Sequence, residues 1–386
     1  MTLPASWNYP TAIWSGAGRV ADLPDACRLA GIRSPLVVTD AGLAPTELVR
    51  GLVDLLRTAG LRVGLFGDAR ADPTTADVER GIVAFGRGGH DGVVAVGGGS
   101  ALDVGKLVAF AAGQALPLLD YVDEGDNWRA ADPGAMAPVI AVPTTAGTGS
   151  EVGRAGVVLD ESTHTKRIVF HPAMVPAVVV CDPELTIGLP ASLTVGTGMD
   201  ALAHCLEAYC VPTEHPMADG IAMEGMRLVF EHLPVALSRP DDLEARQQML
   251  WAAVMGGTAF QKGLGAMHAL AHPIGAHHRT HHGMTNAVLM PYVLAANLRA
   301  IGPRLDRLAR WLDLGTAADD VLRAVVDLRS SLGVPDTLAA LGVPADSSDT
   351  IAAAAPLDPS AAGNPVRLTT ELAGRIFDAA HSGRLD

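Results

Sequence analysis

Gly92-Val-Val-Ala-Val-Gly-Gly-Gly-Ser100, continued by Ala-Leu-Asp-Val-Gly-Lys106, reads as a buried strand, a glycine turn and the start of a helix. Gly97, Gly98 and Gly99 let backbone amides approach a pyrophosphate with no Cβ in the way, and the helix N-terminus that follows favours its negative charge. The bland alternative is a tight strand-to-helix turn; the segment matches neither G-x-G-x-x-G nor a P-loop. Apolar, β-branched runs recur at residues 35–40, 62–66, 138–142 and 177–181, alternating with helical stretches. They predict a mainly parallel sheet covered on both faces, an α/β nucleotide-binding domain. After Leu189-Pro190 strand signals nearly vanish, and Ala-, Leu- and His-rich helical patterns run to the end. The expected division is residues 1–186 for the α/β domain and 187–386 for an all-α domain. Its last part, with Gly333, Pro335, Gly342, Pro344, Pro356, Pro359 and Pro365, reads as short helices joined by turns.

A chain of 386 residues is long enough for two separate cores. Its formal charge of −14, without a basic run, argues against nucleic acid or an anionic membrane as partner. Asp103 and Lys106 interrupt one apolar stretch, and Pro176, Asp182 and Pro183 cut another, so no membrane span is expected. The first twenty residues show no basic segment followed by an apolar one, and Cys27, Cys181, Cys205 and Cys210 lack C-x-x-C spacing. A cytoplasmic protein with reduced thiols is the expectation. Of 28 basic residues only Lys106, Lys166 and Lys262 are lysines, so each invites a local reason.

Pro143-Thr-Thr-Ala-Gly-Thr-Gly-Ser-Glu151 is a second loop at a strand end, rich in hydroxyls that can donate to phosphate or amide oxygens. Asp40 ends an earlier strand, where a carboxylate can accept from an adenosine ribose and repel a 2′-phosphate, or can cap a helix. Downstream, GMDALAHCLEAY places Asp200 and His204 four residues apart, about 400° around a helix, so both leave one face. GAMHALAHPIGAHHRTHHGMTN holds six of the chain's thirteen histidines. In it His268 and His272 are one helical turn apart, and His282 follows Pro273 and Gly275, which can redirect the backbone. Asp200, His204, His268 and His282 therefore suit one divalent ion, Fe(II) or Zn(II). One ion cannot take every imidazole, so His277, His278 and His281 are read as a solvated polar face.

The GGGS-x-x-D-x-x-K loop, the PTTAGTGSE loop, the D-x-x-x-H helix and the H-x-x-x-H-P…H-G segment occur in this order, and with them the chain resembles the iron-dependent (group III) alcohol dehydrogenase family. The resemblance runs from near Ile13 to Leu372. It implies an α/β N-terminal nucleotide-binding domain plus an all-α C-terminal metal-binding domain, the fold shared with dehydroquinate synthase, with catalysis in the cleft between them. Carried over by position, it implies metal ligation by Asp200, His204, His268 and His282. It implies NAD contacts from Asp40, Asp72, Gly97, Gly98, Gly99, Ser100, Asp103, Thr144, Thr145, Thr148, Ser150 and Lys166, and places His272 at the reaction centre. Two positions depart from the family's usual pattern: His281, where Pro is frequent, and Asp72, where Asn is frequent.

The activity so implied is hydride transfer between NAD(H) and a small alcohol or its aldehyde, with a Lewis-acidic metal favouring alkoxide and His272 relaying a proton or orienting the pocket. A homodimer or higher homo-oligomer is expected. A metal-free reductase resembling maleylacetate reductases would not need the quartet. A zinc and NAD lyase resembling dehydroquinate synthase would need a pocket rich in Lys and Arg, and the only lysine in the helical half is Lys262. A non-enzymatic metal-binding protein leaves both loops unexplained.

Overall fold

The computed structural model describes residues 11–163 and 165–385; the first ten residues, on which the reading of the N-terminus partly rests, lie outside them. The strands are β1 (Ala12–Ser15), β2 (Pro35–Asp40), β3 (Gly64–Ala69), β4 (Gly92–Gly97), β5 (Val139–Pro143), β6 (Ala155–Asp160), β7 (Thr165–Phe170) and β8 (Val178–Cys181). Helices α1 (Leu23–Leu29), α2 (Glu47–Thr58), α3 (Thr75–Gly88) and α4 (Gly99–Ala111) alternate with the early strands. Then follow α5 (Ala191–Cys210), α6 (Pro216–Ser238), α7 (Leu243–Ala259), α8 (Ala266–His278), α9 (His282–Trp311), α10 (Ala318–Ser331), α11 (Ser348–Ala354) and α12 (Thr370–Ser382). The chain groups into two compact units. One runs to Thr145 and resumes over Gly149–Leu189; the other takes Ala146–Thr148 and everything from Pro190 onward.

In the first unit six strands form one sheet in the order β1-β8-β5-β4-β2-β3, every neighbouring pair parallel. Val37, Val94, Val96, Ile140, Val142, Val178 and Val180 bury their side chains against Leu23 and Cys27 of α1 and Val49, Leu52 and Leu56 of α2. Each such burial contributes roughly 1.5–3 kcal/mol. The expected strands at 35–40, 92–96, 138–142 and 177–181 coincide with β2, β4, β5 and β8. β3 lies later than residues 62–66, because it is a half-exposed edge without a continuous apolar run. The four-residue edge strand β1 and the antiparallel pair β6–β7, which carries Lys166 and Arg167, lack the same signal and were not expected. Strand order reverses between β2 and β4, so the carboxyl ends of these strands flank a topological switch point, the usual ligand position in open α/β sheets.

The second unit is helical. Every residue of α5 from Thr194 to Cys210 is buried, and α6, α7 and α9 pack around it. Asp200, His204 and Glu207 are thus carried into an apolar core, where each must find a partner. Among the described residues no helix is long and apolar enough to cross a membrane.

Candidate metal centre and cofactor loops

At the switch point β2 ends in Asp40 and β4 in Gly97. Asp40 Oδ1 accepts the N–H groups of Gly42 at 2.9 Å and Leu43 at 3.0 Å, which fixes the turn after the strand. Its Oδ2 faces Gly97: a Cβ there, on a backbone with φ of +143°, would stand 3.4 Å from that oxygen and 2.7 Å from the Ala101 methyl. Only glycine suits this turn, and it leaves the N-terminus of α4 uncovered by side chain. The Gly97 carbonyl accepts Thr144 N–H at 3.0 Å, joining the glycine turn to the second loop. Asp40, Gly97, Gly98, Gly99, Thr144 and Thr145 therefore share one end of the sheet. Ser100 Oγ donates to the Ala71 carbonyl.

The other residues expected to contact the cofactor are engaged with the protein. Lys166 Nζ pairs with Asp72 Oδ1 at 3.3 Å. Asp103 accepts Ser150 Oγ at 2.6 Å through Oδ1 and Val157 N–H at 3.1 Å through Oδ2. Thr148 groups with the helical unit. Lys106 is buried, donating to the Ser150 carbonyl at 2.9 Å and to that of Ala155, and lies 3.1 Å from Asp103 Oδ1. Three donors meet three acceptors, so this lysine ties the second loop to α4 and β6.

In the helical unit Asp200, His204 and His268 offer ligand atoms that all lie within 4.8 Å of one another. His282 joins from the first turn of α9, its Nε2 3.6 Å from Asp200 Oδ1. Gly283 makes this approach possible: a Cβ there would stand 2.0 Å from the Gly196 carbonyl on α5. Pro273 and Gly275 do not redirect the backbone, contrary to the expectation from the sequence; the turn comes at Arg279, in the left-handed region with φ of 52°. One proline does not stop α8, whose buried residues His268, Ala269, Leu270, Ala271 and Ile274 are held by packing on both sides of it. His281 caps α9, its Nδ1 accepting Met284 N–H at 3.3 Å, a role beyond that of a solvated face.

Burial drives the His204 imidazole down to about 4, only partly opposed by the Asp200 charge. Burial also works against the Asp200 carboxylate, but the His204, His282 and His268 rings and the Asn286 amide hold its pKa below the ordinary value. An ionised carboxylate and a neutral imidazole are the states that ligation requires. Asn286 Nδ2 lies 2.9 Å from Asp200 Oδ1, 3.2 Å from His268 Nε2 and 3.1 Å from His282 Nε2, while its own Oδ1 is buried without a hydrogen-bond partner. With both ring nitrogens bare, as ligation requires, two amide hydrogens cannot satisfy three acceptors. A divalent cation would, so the donor set fits a metal.

Three further residues escaped the sequence reading. Glu207 Oε2 accepts His268 Nδ1 at 2.7 Å. Asp358 Oδ2 is 2.8 Å from His272 Nδ1, and His272 stacks on His282 with ring centroids 5.4 Å apart. Asn286 completes the set. Glu207 follows His204 by three residues on a helix predicted to face the metal, a usable signal; nothing local marks Asp358.

Residues 10–183 match the family model described as iron-containing alcohol dehydrogenase, and residues 194–381 match that of the family's C-terminal domain. The chain is 41% identical over 369 residues to 4-hydroxybutyrate dehydrogenase of Cupriavidus necator, covering 92% of this chain and 94% of that one. It is 34% identical to the NAD-dependent methanol dehydrogenase of Bacillus methanolicus, covering 96% and 98%. A crystal structure of 1,3-propanediol oxidoreductase superposes with a TM-score of 0.92 at 34% identity, covering 97% of this chain and all of the other. With the sheet, the glycine turn and the histidine cluster in place, these matches identify the chain as a member of the iron-containing alcohol dehydrogenase family.

Proposed function

We propose that the protein is a cytoplasmic, homo-oligomeric, NAD(H)-dependent dehydrogenase of short primary alcohols, with ω-hydroxy acids of the 4-hydroxybutyrate type as its preferred substrates and Fe(II) as its ion. The observation that carries the substrate class is the 41% identity to a 4-hydroxybutyrate dehydrogenase, against 34% to the methanol enzyme. Asp40 supports NAD over NADP, because its Oδ2 faces the glycine turn and a 2′-phosphate there would meet like charge. Backbone amides at Gly98 and Gly99 would hold the pyrophosphate.

Asp200, His204, His268 and His282 hold the ion, which when bound supplies Lewis acidity toward a hydroxyl or carbonyl oxygen. His272 exchanges a proton at Nε2: Asp358 at Nδ1 fixes the tautomer and steadies the imidazolium when the ring takes the proton. A bound NAD(H) would supply or take up the hydride.

The test is a steady-state comparison of 4-hydroxybutyrate, methanol, 1,3-propanediol and 1-butanol, with NAD and NADP, on protein reconstituted anaerobically with Fe(II) or Zn(II). The highest kcat/KM is expected for 4-hydroxybutyrate with NAD and Fe(II). A clear preference for methanol or 1,3-propanediol contradicts the substrate class, and a preference for NADP contradicts the role of Asp40.

A further inference from the structure

Resting on the reading that Asp200, His204, His268 and His282 hold the ion, we propose that Glu207 is a positioning residue for that centre: it locks His268 with the hydrogen on Nδ1 and the bare Nε2 toward the other ligands, and so strengthens metal binding. Glu207 is nine-tenths buried or more on α5 and accepts from three donors at the start of α8. Met267 N–H lies 2.6 Å from Oε1, while His268 N–H and His268 Nδ1 lie 3.5 Å and 2.7 Å from Oε2. Helix α8 begins after Gly265, which has no side chain to cap the first turn. A carboxylate brought from α5 takes that place, where the helix N-terminus favours its charge.

The consequence for His268 follows from donor and acceptor counting. The Glu207 oxygen accepts from Nδ1, so Nδ1 carries the hydrogen in that contact, and the neutral ring keeps its lone pair on Nε2. That Nε2 lies 3.2 Å from the Asn286 amide, which also reaches Asp200 Oδ1 and His282 Nε2, so the lone pair is aimed into the ligand cluster. Exchanging the carboxylate for an amide breaks the arrangement in either orientation. If the Gln oxygen serves Met267 N–H, its NH₂ meets Nδ1 and favours the tautomer with hydrogen on Nε2, which blocks ligation. If the Gln oxygen serves Nδ1, the NH₂ faces the Met267 N–H.

A purely structural role as helix cap is separable, because α8 has a second borrowed cap. Asn364 Oδ1 accepts Ala266 N–H at 3.1 Å and is held by a reciprocal amide pair with Asn297 at 2.9 and 3.0 Å. It makes no hydrogen bond to the four ligands. The experiment compares Glu207→Gln with Asn364→Ala by chelator competition for Zn(II) and, anaerobically, Fe(II), with thermal unfolding of each metal-free protein. Both substitutions should lower the melting temperature. Only Glu207→Gln should weaken metal affinity, on the order of 10–100-fold. Unchanged affinity in Glu207→Gln, or equal losses in the two variants, overturns the proposal. A wild type that takes up neither ion instead defeats the metal-centre reading beneath it. Should Glu207→Gln not fold, ¹⁵N-histidine spectra of the Zn(II)-loaded wild type decide: hydrogen on His268 Nδ1 with Nε2 bound is expected, and ligation through Nδ1 overturns it.

Discussion

His268 and His272 lie one turn apart on α8, yet their surroundings assign them different work. His268 is almost wholly buried with Nε2 in the ligand cluster, whereas His272 is part-exposed, with Nδ1 on Asp358. His268→Ala should therefore lower both metal content and turnover. His272→Ala should leave metal content near wild type and cut kcat on the order of 10²-fold, as loss of a proton-transfer group does. Metal analysis paired with steady-state kinetics checks this, and equal metal loss in both variants contradicts the assignment. The four candidate ligands could be picked out in the sequence because helical spacing is a local property. The partners that orient them were not: His272 and Asp358 are 86 positions apart, and the segment holding Asp358 showed only turn residues.

The second loop was recognised while its interior was missed. Its hydroxyl-rich run marked it as a phosphate or amide contact, but Ser150 at its end is tied to the buried Lys106 and half-buried Asp103 of α4, and Glu151 beside it is buried. Burial raises the Glu151 carboxyl to about 7, only partly opposed by its own backbone hydrogen bond and by Lys106, and its Oε1 has no hydrogen-bond partner. The folded pKa exceeds the unfolded one, so the folded state binds the proton more tightly and stability falls as pH rises from about 4.5 to about 7. Glu151→Gln should remove that loss. The variant should match wild type near pH 4.5 and exceed it at pH 8 by on the order of 1–3 kcal/mol. Urea unfolding at the two pH values checks this; a difference independent of pH contradicts it. Among the strands, β2, β4, β5 and β8 were legible because burial on both faces demands continuous apolar runs. The exposed edges β1 and β3 and the charged β6–β7 pair carry no such demand.

Across the whole molecule the chemistry is divided between two units, one carrying the glycine turn and Asp40, the other the carboxylate and imidazoles. Both halves were legible in outline, since change of periodicity near Leu189 separates a strand-bearing segment from an all-helical one. Turnover is proposed to depend on an ion held by the Asp200, His204, His268 and His282 set. The most direct test measures metal content and NAD-linked alcohol oxidation together, in anaerobically prepared wild type, in the same protein stripped by chelator, and in Asp200→Asn. Stoichiometric metal and turnover are expected in the first, neither in the second until Fe(II) is restored, and weak metal retention in the third. Undiminished turnover in protein shown to contain no metal would contradict that dependence.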